Sequence, residues 1–111
     1  MTYGVRHERV LEALADPTRR RIVDHLSRGP MTVGELAGKL PVTRPAVSQH
    51  LKTLLEAGLV SYRPRGTRNV YRLEPAGFDS LRDWLDGFWE DVLDAFETNA
   101  DQHSYGRKED T

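Results

Sequence analysis

The 111-residue sequence predicts a mainly α-helical domain carrying one small β-hairpin, and three observations lead there. As far as Gly58, prolines, glycines and capping residues cut the chain into short segments with apolar residues at helical spacing. From Leu59 to Leu73 the pattern turns to β-branched and aromatic residues around Pro64-Arg65-Gly66-Thr67. After Pro75 comes a long amphipathic stretch, the most aromatic part of the chain.

The first helix covers about Val5 to Ala15, with Val10, Leu11 and Leu14 as its apolar stripe. Asp16-Pro17 ends it and starts the second, because Asp caps well and a proline in the first turn lacks only an N–H that would go unpaired there. That helix runs through Ile22, Val23 and Leu26 and stops near Arg28, before Gly29-Pro30. Thr32-Val33-Gly34-Glu35 has the form of a capping box, and Val33, Leu36, Ala37 and Leu40 then mark one buried face of a third helix that Pro41 closes. Thr43 caps a fourth helix with Pro45 in its first turn, and Gly58 stops it. Two strands follow, about Val60 to Arg63 and Asn69 to Leu73. The last helix carries the stripe Phe78, Leu81, Trp84, Leu85, Phe88, Trp89, Val92, Leu93 and Phe96. Residues 1–97 are thus one domain, and the polar, aperiodic stretch 98–111 reads as a flexible tail.

Helix, tight turn, helix, hairpin, helix is the order of a winged helix-turn-helix. The fourth helix is then the one laid in the DNA major groove. Val47, Leu51, Leu54 and Leu55 fall on its core face, whereas Arg44, Ser48, Gln49, Lys52 and Thr53 fall on the other. Those side chains offer the donors and acceptors that base edges and phosphates require.

Charge supports the same face. The formal net charge of -1 hides a segregation: residues 1–73 hold 13 Lys and Arg against 6 Asp and Glu, whereas the rest holds 3 against 11. Between Leu36 and Leu73 the only carboxylate is Glu56, and the hairpin carries Arg63, Arg65, Arg68 and Arg72. Arginine suits a narrow minor groove, where the potential is most negative. A charged hairpin also discourages edge-to-edge pairing, and the two roles are compatible.

The lack of cysteine excludes disulfides, thiolate metal sites and thiol redox sensing. No signal-peptide h-region or membrane-spanning run is present, so the cytoplasm is the expected location. No nucleophile–base pair, phosphate loop or paired carboxylates suggest an enzyme, and no cofactor is expected.

At Leu14-Ala15-Asp16-Pro17-Thr18-Arg19, Val33-Gly34-Glu35-Leu36-Ala37, Pro45-Ala46-Val47-Ser48-Gln49-His50-Leu51-Lys52-Thr53-Leu54 and Ala57-Gly58-Leu59-Val60 the sequence resembles the ArsR/SmtB family of bacterial winged-helix repressors. The resemblance covers roughly Val5 to Phe96. It implies a homodimer built on the first and last helices and repression at a double-stranded DNA operator. It also implies groove-reading positions at Arg44, Ser48, Gln49 and His50 and a wing tip at Arg65, Thr67 and Arg68. The candidate DNA contacts are therefore Thr43, Arg44, Ser48, Gln49, His50, Lys52, Arg63, Arg65, Thr67 and Arg68. His50 stands three residues after Val47 and beside Leu51, which places a packed or mixed role slightly ahead of a pure DNA contact.

The family's cysteine-containing metal segment corresponds here to Glu35-Leu36-Ala37-Gly38-Lys39-Leu40, which lacks thiolate ligands. A second family site uses Asp and His on the last helix and a later His or Glu. Only Asp101-Gln102-His103 resembles it, with no His beyond, so no metal is expected. His7, His25, Asp24, Glu90 and Asp94 could assemble across a dimer, but neither histidine has a ligand partner at i, i+3 or i, i+4 to favour it.

An apolar stripe this wide exceeds what a small domain can bury alone, which points to a second copy of the chain. The expected interface residues are Val10, Leu14, Leu81, Trp84, Leu85, Phe88, Trp89, Val92 and Phe96. Folding back onto the domain, or lining a pocket for a hydrophobic ligand, are other uses of the same residues. A winged helix that binds protein instead of DNA is the alternative function, set against the arginine-rich, acid-free stretch Ala57 to Leu73. The effector is unknown from the sequence.

Overall fold

The computed structural model describes residues 2–102, with side chains over residues 6–98. The elements are α1 (Thr2–Ala15), α2 (Pro17–Leu26), β1 (Met31–Thr32), α3 (Val33–Lys39), α4 (Arg44–Glu56), β2 (Val60–Arg65), β3 (Arg68–Leu73), a 3₁₀ turn (Pro75–Phe78) and α5 (Asp79–Gln102). They form two compact units that divide between Leu81 and Arg82.

The first unit contains the core. Ile22 of α2, Leu36 of α3, Val47, Leu51 and Leu54 of α4, and Leu59 ahead of β2 are fully enclosed. Val10 and Ala13 of α1, Leu26, Leu40 and Val60 complete the cluster. Burying a Leu or Ile contributes about 1.5–3 kcal/mol, and the contributors from α4 recur at i, i+4 and i+7, so one whole face of that helix is held. The opposite face is left to solvent.

Local chemistry starts each helix where the sequence indicates. Asp16 Oδ2 accepts the Arg19 backbone N–H at 3.1 Å. Thr32 Oγ1 accepts from Glu35 N at 3.1 Å while Glu35 Oε1 accepts from Thr32 N at 2.8 Å, which is the capping box. Thr43 Oγ1 accepts from Ala46 N at 3.3 Å. The α4 end is a Schellman motif: Leu59 N donates to Leu54 O at 3.0 Å and Gly58 N to Leu55 O at 2.9 Å, with Gly58 at φ +78°.

The Thr32 backbone hydrogen bond is the main reason the Glu35 carboxyl titrates below the usual glutamate range, with Arg68 and Lys39 adding weaker attraction. A carboxylate lowered on folding adds stability that is complete above its unfolded pKa and lost as pH falls through the lowered folded value. Urea midpoints of the wild type and Glu35→Ala should therefore differ most near neutrality. The gap should narrow in acid below about pH 4.5; a constant gap would remove the carboxylate from the cap.

The structure amends the sequence reading at several boundaries. The sheet has three strands in the order β1-β3-β2 because the two-residue β1 pairs Met31 with Tyr71 and Thr32 with Val70. So short a strand shows no alternation to read. The hairpin strands are also longer than expected, and Pro64 stays within β2 because β2 lies at the sheet edge, where a missing N–H costs little. Helix α1 begins at Thr2, before Val5, and α2 ends at Leu26, before Arg28. Phe78 belongs to the 3₁₀ turn instead of the last helix.

The second unit is the remainder of α5. Trp84 and Phe88, one turn apart, stack with centroids 5.5 Å apart and planes 13° from parallel. The helix continues through Thr98 to Gln102, and the rest of the expected tail, His103 included, lies outside the described residues.

Candidate nucleic-acid interface

The outward face of α4 follows from its buried one. With Val47, Leu51 and Leu54 fixed in the core, Arg44, Ser48 and Lys52 form an exposed i, i+4, i+8 stripe, with Gln49 exposed beside it. Thr43 and Arg44 stand at the helix N-terminus, where unpaired backbone N–H groups favour an anion. Thr53, half-buried, bends its hydroxyl back to Gln49 O at 3.4 Å and is less available.

Gly34 on α3 is a participant the sequence reading overlooked. A Cβ placed there would lie 3.1 Å from the Arg44 Nη2 and 3.4 Å from its Cζ, so the bare backbone gives the guanidinium its resting place. A glycine inside a short helix costs helix propensity, and that cost is the signal that could have marked it.

The wing is built by register. Arg65 pairs with Arg68 across a two-residue turn of Gly66 and Thr67, and Gly66 at φ +64° supplies the positive φ such a turn needs at its first central position. Ser61–Arg72, Arg63–Val70 and Arg65–Arg68 are cross-strand pairs, which puts all four arginines on one face of the hairpin. Tyr62 and Tyr71 pair on the other, with centroids 5.3 Å apart. Arg65 directly opposite Arg68 is a like-charge pair that destabilises an isolated hairpin and that a polyanion would relieve.

Arg72 stands apart from the others. Its Nε lies 3.6 Å from Glu74 Oε2, and the Ser61 hydroxyl donates a short hydrogen bond to the same carboxylate oxygen. That hydrogen bond, then the Arg72 charge, holds the Glu74 carboxyl below its usual range. Among the described residues Arg63, Arg65 and Arg68 have no ion-pair partner, and all three are exposed.

Helix and wing meet at one cleft. Gly34, Arg44, Ser48, Thr67, Arg68 and Asn69 line a hollow of about 470 Å³ between α3, the start of α4 and the wing tip. Glu35, the one carboxylate among its described lining residues, is engaged by the Thr32 N–H. Arg63, Arg65 and Arg72 line a separate shallow hollow with Pro30. Of the expected contacts, Thr43, Arg44, Ser48, Gln49, Lys52, Arg63, Arg65, Thr67 and Arg68 are exposed. His50 is not: its side chain is 23% exposed and its Nδ1 lies 3.3 Å from Arg19 Nη1.

The expected dimer residues divide as well. Val10 is 1% exposed and belongs to the chain's own core, so it presents no surface to a partner. Leu14 and Leu81 are partly buried against that core. Leu85, Phe88, Trp89, Val92 and Phe96 are exposed in the single chain, Trp89 by 58%. Among the described residues, no helix is long and apolar enough to cross a membrane and no group of three or more acidic or histidine residues could hold a metal ion.

Comparison with known proteins converges on the same region. The family model of bacterial regulatory proteins of the arsR family matches residues 16–62, which include α2 to the start of β2. The HTH-type transcriptional regulator Rv2034 of Mycobacterium tuberculosis is 57% identical over 80% of this chain and 83% of its own. The transcriptional repressor SdpR of Bacillus subtilis is 34% identical over 71% of this chain and 88% of its own. An ArsR-like transcriptional regulator from Rhodococcus sp. RHA1 superposes with a TM-score of 0.74 at 30% identity, over 90% of this chain and 97% of that one. With its helix-turn-helix, its wing and these relatives, the chain belongs to the ArsR family of bacterial transcriptional regulators.

Proposed function

We propose that the protein is a cytoplasmic, homodimeric transcriptional repressor that binds an imperfect palindromic operator through α4 and the wing. One observation carries the reading: Arg44 and Ser48 of α4 line the same cleft as Thr67 and Arg68 of the wing tip, and its one carboxylate is occupied. Such a surface grips phosphates with guanidinium groups while short polar side chains meet base edges. Relatives named as repressors support the direction of control.

The dimer is proposed through α1 and α5. Leu85, Phe88, Trp89, Leu93 and Phe96 expose large apolar surfaces along α5, and Leu11 does so on α1. An exposed apolar stripe like the one along α5 is rare on a monomer. A two-fold dimer would present two copies of α4 to half-sites about one helical turn apart or slightly more.

Selection of random duplex DNA by the purified protein at moderate salt, read by sequencing and paired with the mass of the complex, tests this reading. One enriched imperfect palindrome bound by two chains is the expected result. Absence of enrichment, with binding that vanishes as salt rises, would replace it with a winged helix whose partner is a protein.

The wing has its own test. If Arg65 and Arg68 each neutralise a phosphate, replacing both with alanine should reduce the slope of log K against log salt by about 1.8 per protomer. An unchanged slope would take the wing tip off the DNA.

A further inference from the structure

Arg19 lies outside the DNA-facing surface, yet its side chain touches two other elements. From the first turn of α2, Arg19 Nε donates to Ala13 O at 2.5 Å and Nη2 to Glu12 O at 3.2 Å, which satisfies carbonyls at the C-terminal end of α1. Its Nη1 lies 3.3 Å from Nδ1 of His50, in the middle of α4. The Asp16 carboxylate that caps α2 at the Arg19 N–H also lies 3.6 Å from that Nδ1. Three helices therefore meet at one guanidinium. Beside it, an open groove of about 640 Å³ lined by Arg9 and Glu12 of α1 and Thr53 and Glu56 of α4 takes the place of close packing.

The chemistry of the donor sets which tautomer this contact requires. Arginine can only donate, so a hydrogen bond at this contact has Nδ1 as acceptor and requires the tautomer with its hydrogen on Nε2. The 3.6 Å gap to Asp16 is too long for a direct hydrogen bond from Nδ1. Asp16 instead supplies negative charge beside the pair.

We propose that Arg19 is a positioning residue for DNA recognition, fixing the middle of α4 to the end of α1 through Nδ1 of His50. The inference rests on the reading of α4 as the groove-reading helix. Gln49 precedes His50, and Ser48 and Lys52 lie within two residues of it, so a rotation of α4 about its axis moves all three. Core packing on the far side limits that rotation, and the Arg19–His50 contact sets where within the limit the helix rests.

Asparagine places a side-chain oxygen close to where Nδ1 stands and has nothing at Nε2, whereas leucine fills the space without an acceptor. On the duplex selected by the wild type, His50→Leu should lower the ratio of specific to random-DNA affinity about tenfold, a typical loss for a hydrogen bond to a charged donor. His50→Asn should stay within about twofold. Equal losses in the two variants would mean that Nε2 itself touches DNA, and no loss in His50→Leu would make the contact irrelevant to recognition; either overturns the proposal. Nitrogen-15 imidazole spectra of the free wild-type protein read the contact without DNA or substitution. The Nε2–H form supports the proposal, and a neutral ring protonated at Nδ1 defeats it even if His50→Leu fails to fold. A wild type that selects no sequence would sink the repressor reading, with the spectra still deciding whether Arg19 holds the helix.

Discussion

Replacing Gly77 with alanine should cost the first unit about 3 kcal/mol, the upper part of the usual range for overpacking. Gly77 sits in the 3₁₀ turn over Pro75–Phe78, and a Cβ there would overlap the carbonyl of Gly58 and lie 3.2 Å from the Leu59 Cα. All of these neighbours are backbone, so no side chain can rotate away. Gly58 cannot yield readily either. It holds φ +78° as the C-terminal stop of α4, and Leu59 N and O are committed to Leu54 O and Glu74 N. Relief would have to come from moving the 3₁₀ turn off the end of α4. At about 4–8 °C per kcal/mol for a domain of this size, the melting temperature should fall by roughly 12 °C or more. Gly87 in α5 is the control, because a Cβ there meets nothing within 4 Å. Gly87→Ala should leave the melting temperature level or slightly raised through helix propensity. A Gly77→Ala protein that melts with the wild type would show that the turn is free to shift.

This contact also marks where sequence reading stops. Elements governed by neighbours in the chain were legible: Asp16, Thr32 and Thr43 start helices because each cap is a bond to a residue three positions on. The core face of α4 was legible because Val47, Leu51 and Leu54 obey helical spacing. Gly77 against Gly58, β1 against β3 and Arg19 against His50 are pairings across 19 or more residues, and no local period encodes a partner's identity. Val10 shows the same limit on one residue. Its stripe was visible, but whether an apolar stripe meets its own core or a second chain depends on distant packing, and here it meets the core. The exposed basic face was readable for the opposite reason: nothing needs to pair with it inside the chain.

The second large effect is expected at the recognition face. Ser48→Ala with Gln49→Ala should leave the fold intact, since both side chains are exposed and neither donates a bond to another of the described residues. Each base contact of good geometry discriminates by about 1–3 kcal/mol, so the double variant should lose roughly 30-fold to 20,000-fold in affinity for the selected duplex for each half-site it occupies. Binding to random duplex should change little if, as proposed, it rests on phosphate neutralisation by Arg44, Lys52 and the wing arginines, all of which remain. The two affinities thus separate side chains that read from side chains that hold. Arg44 supplies the contrast within one helix. Its guanidinium lies against Gly34 at the mouth of the cleft, and Arg44→Ala should weaken both duplexes and lower the salt slope by about 0.9 per protomer. If the Ser48 and Gln49 substitutions instead weaken both duplexes equally, α4 lies along the phosphates without entering the groove. The specificity would then have to come from the wing or from the shape of the DNA.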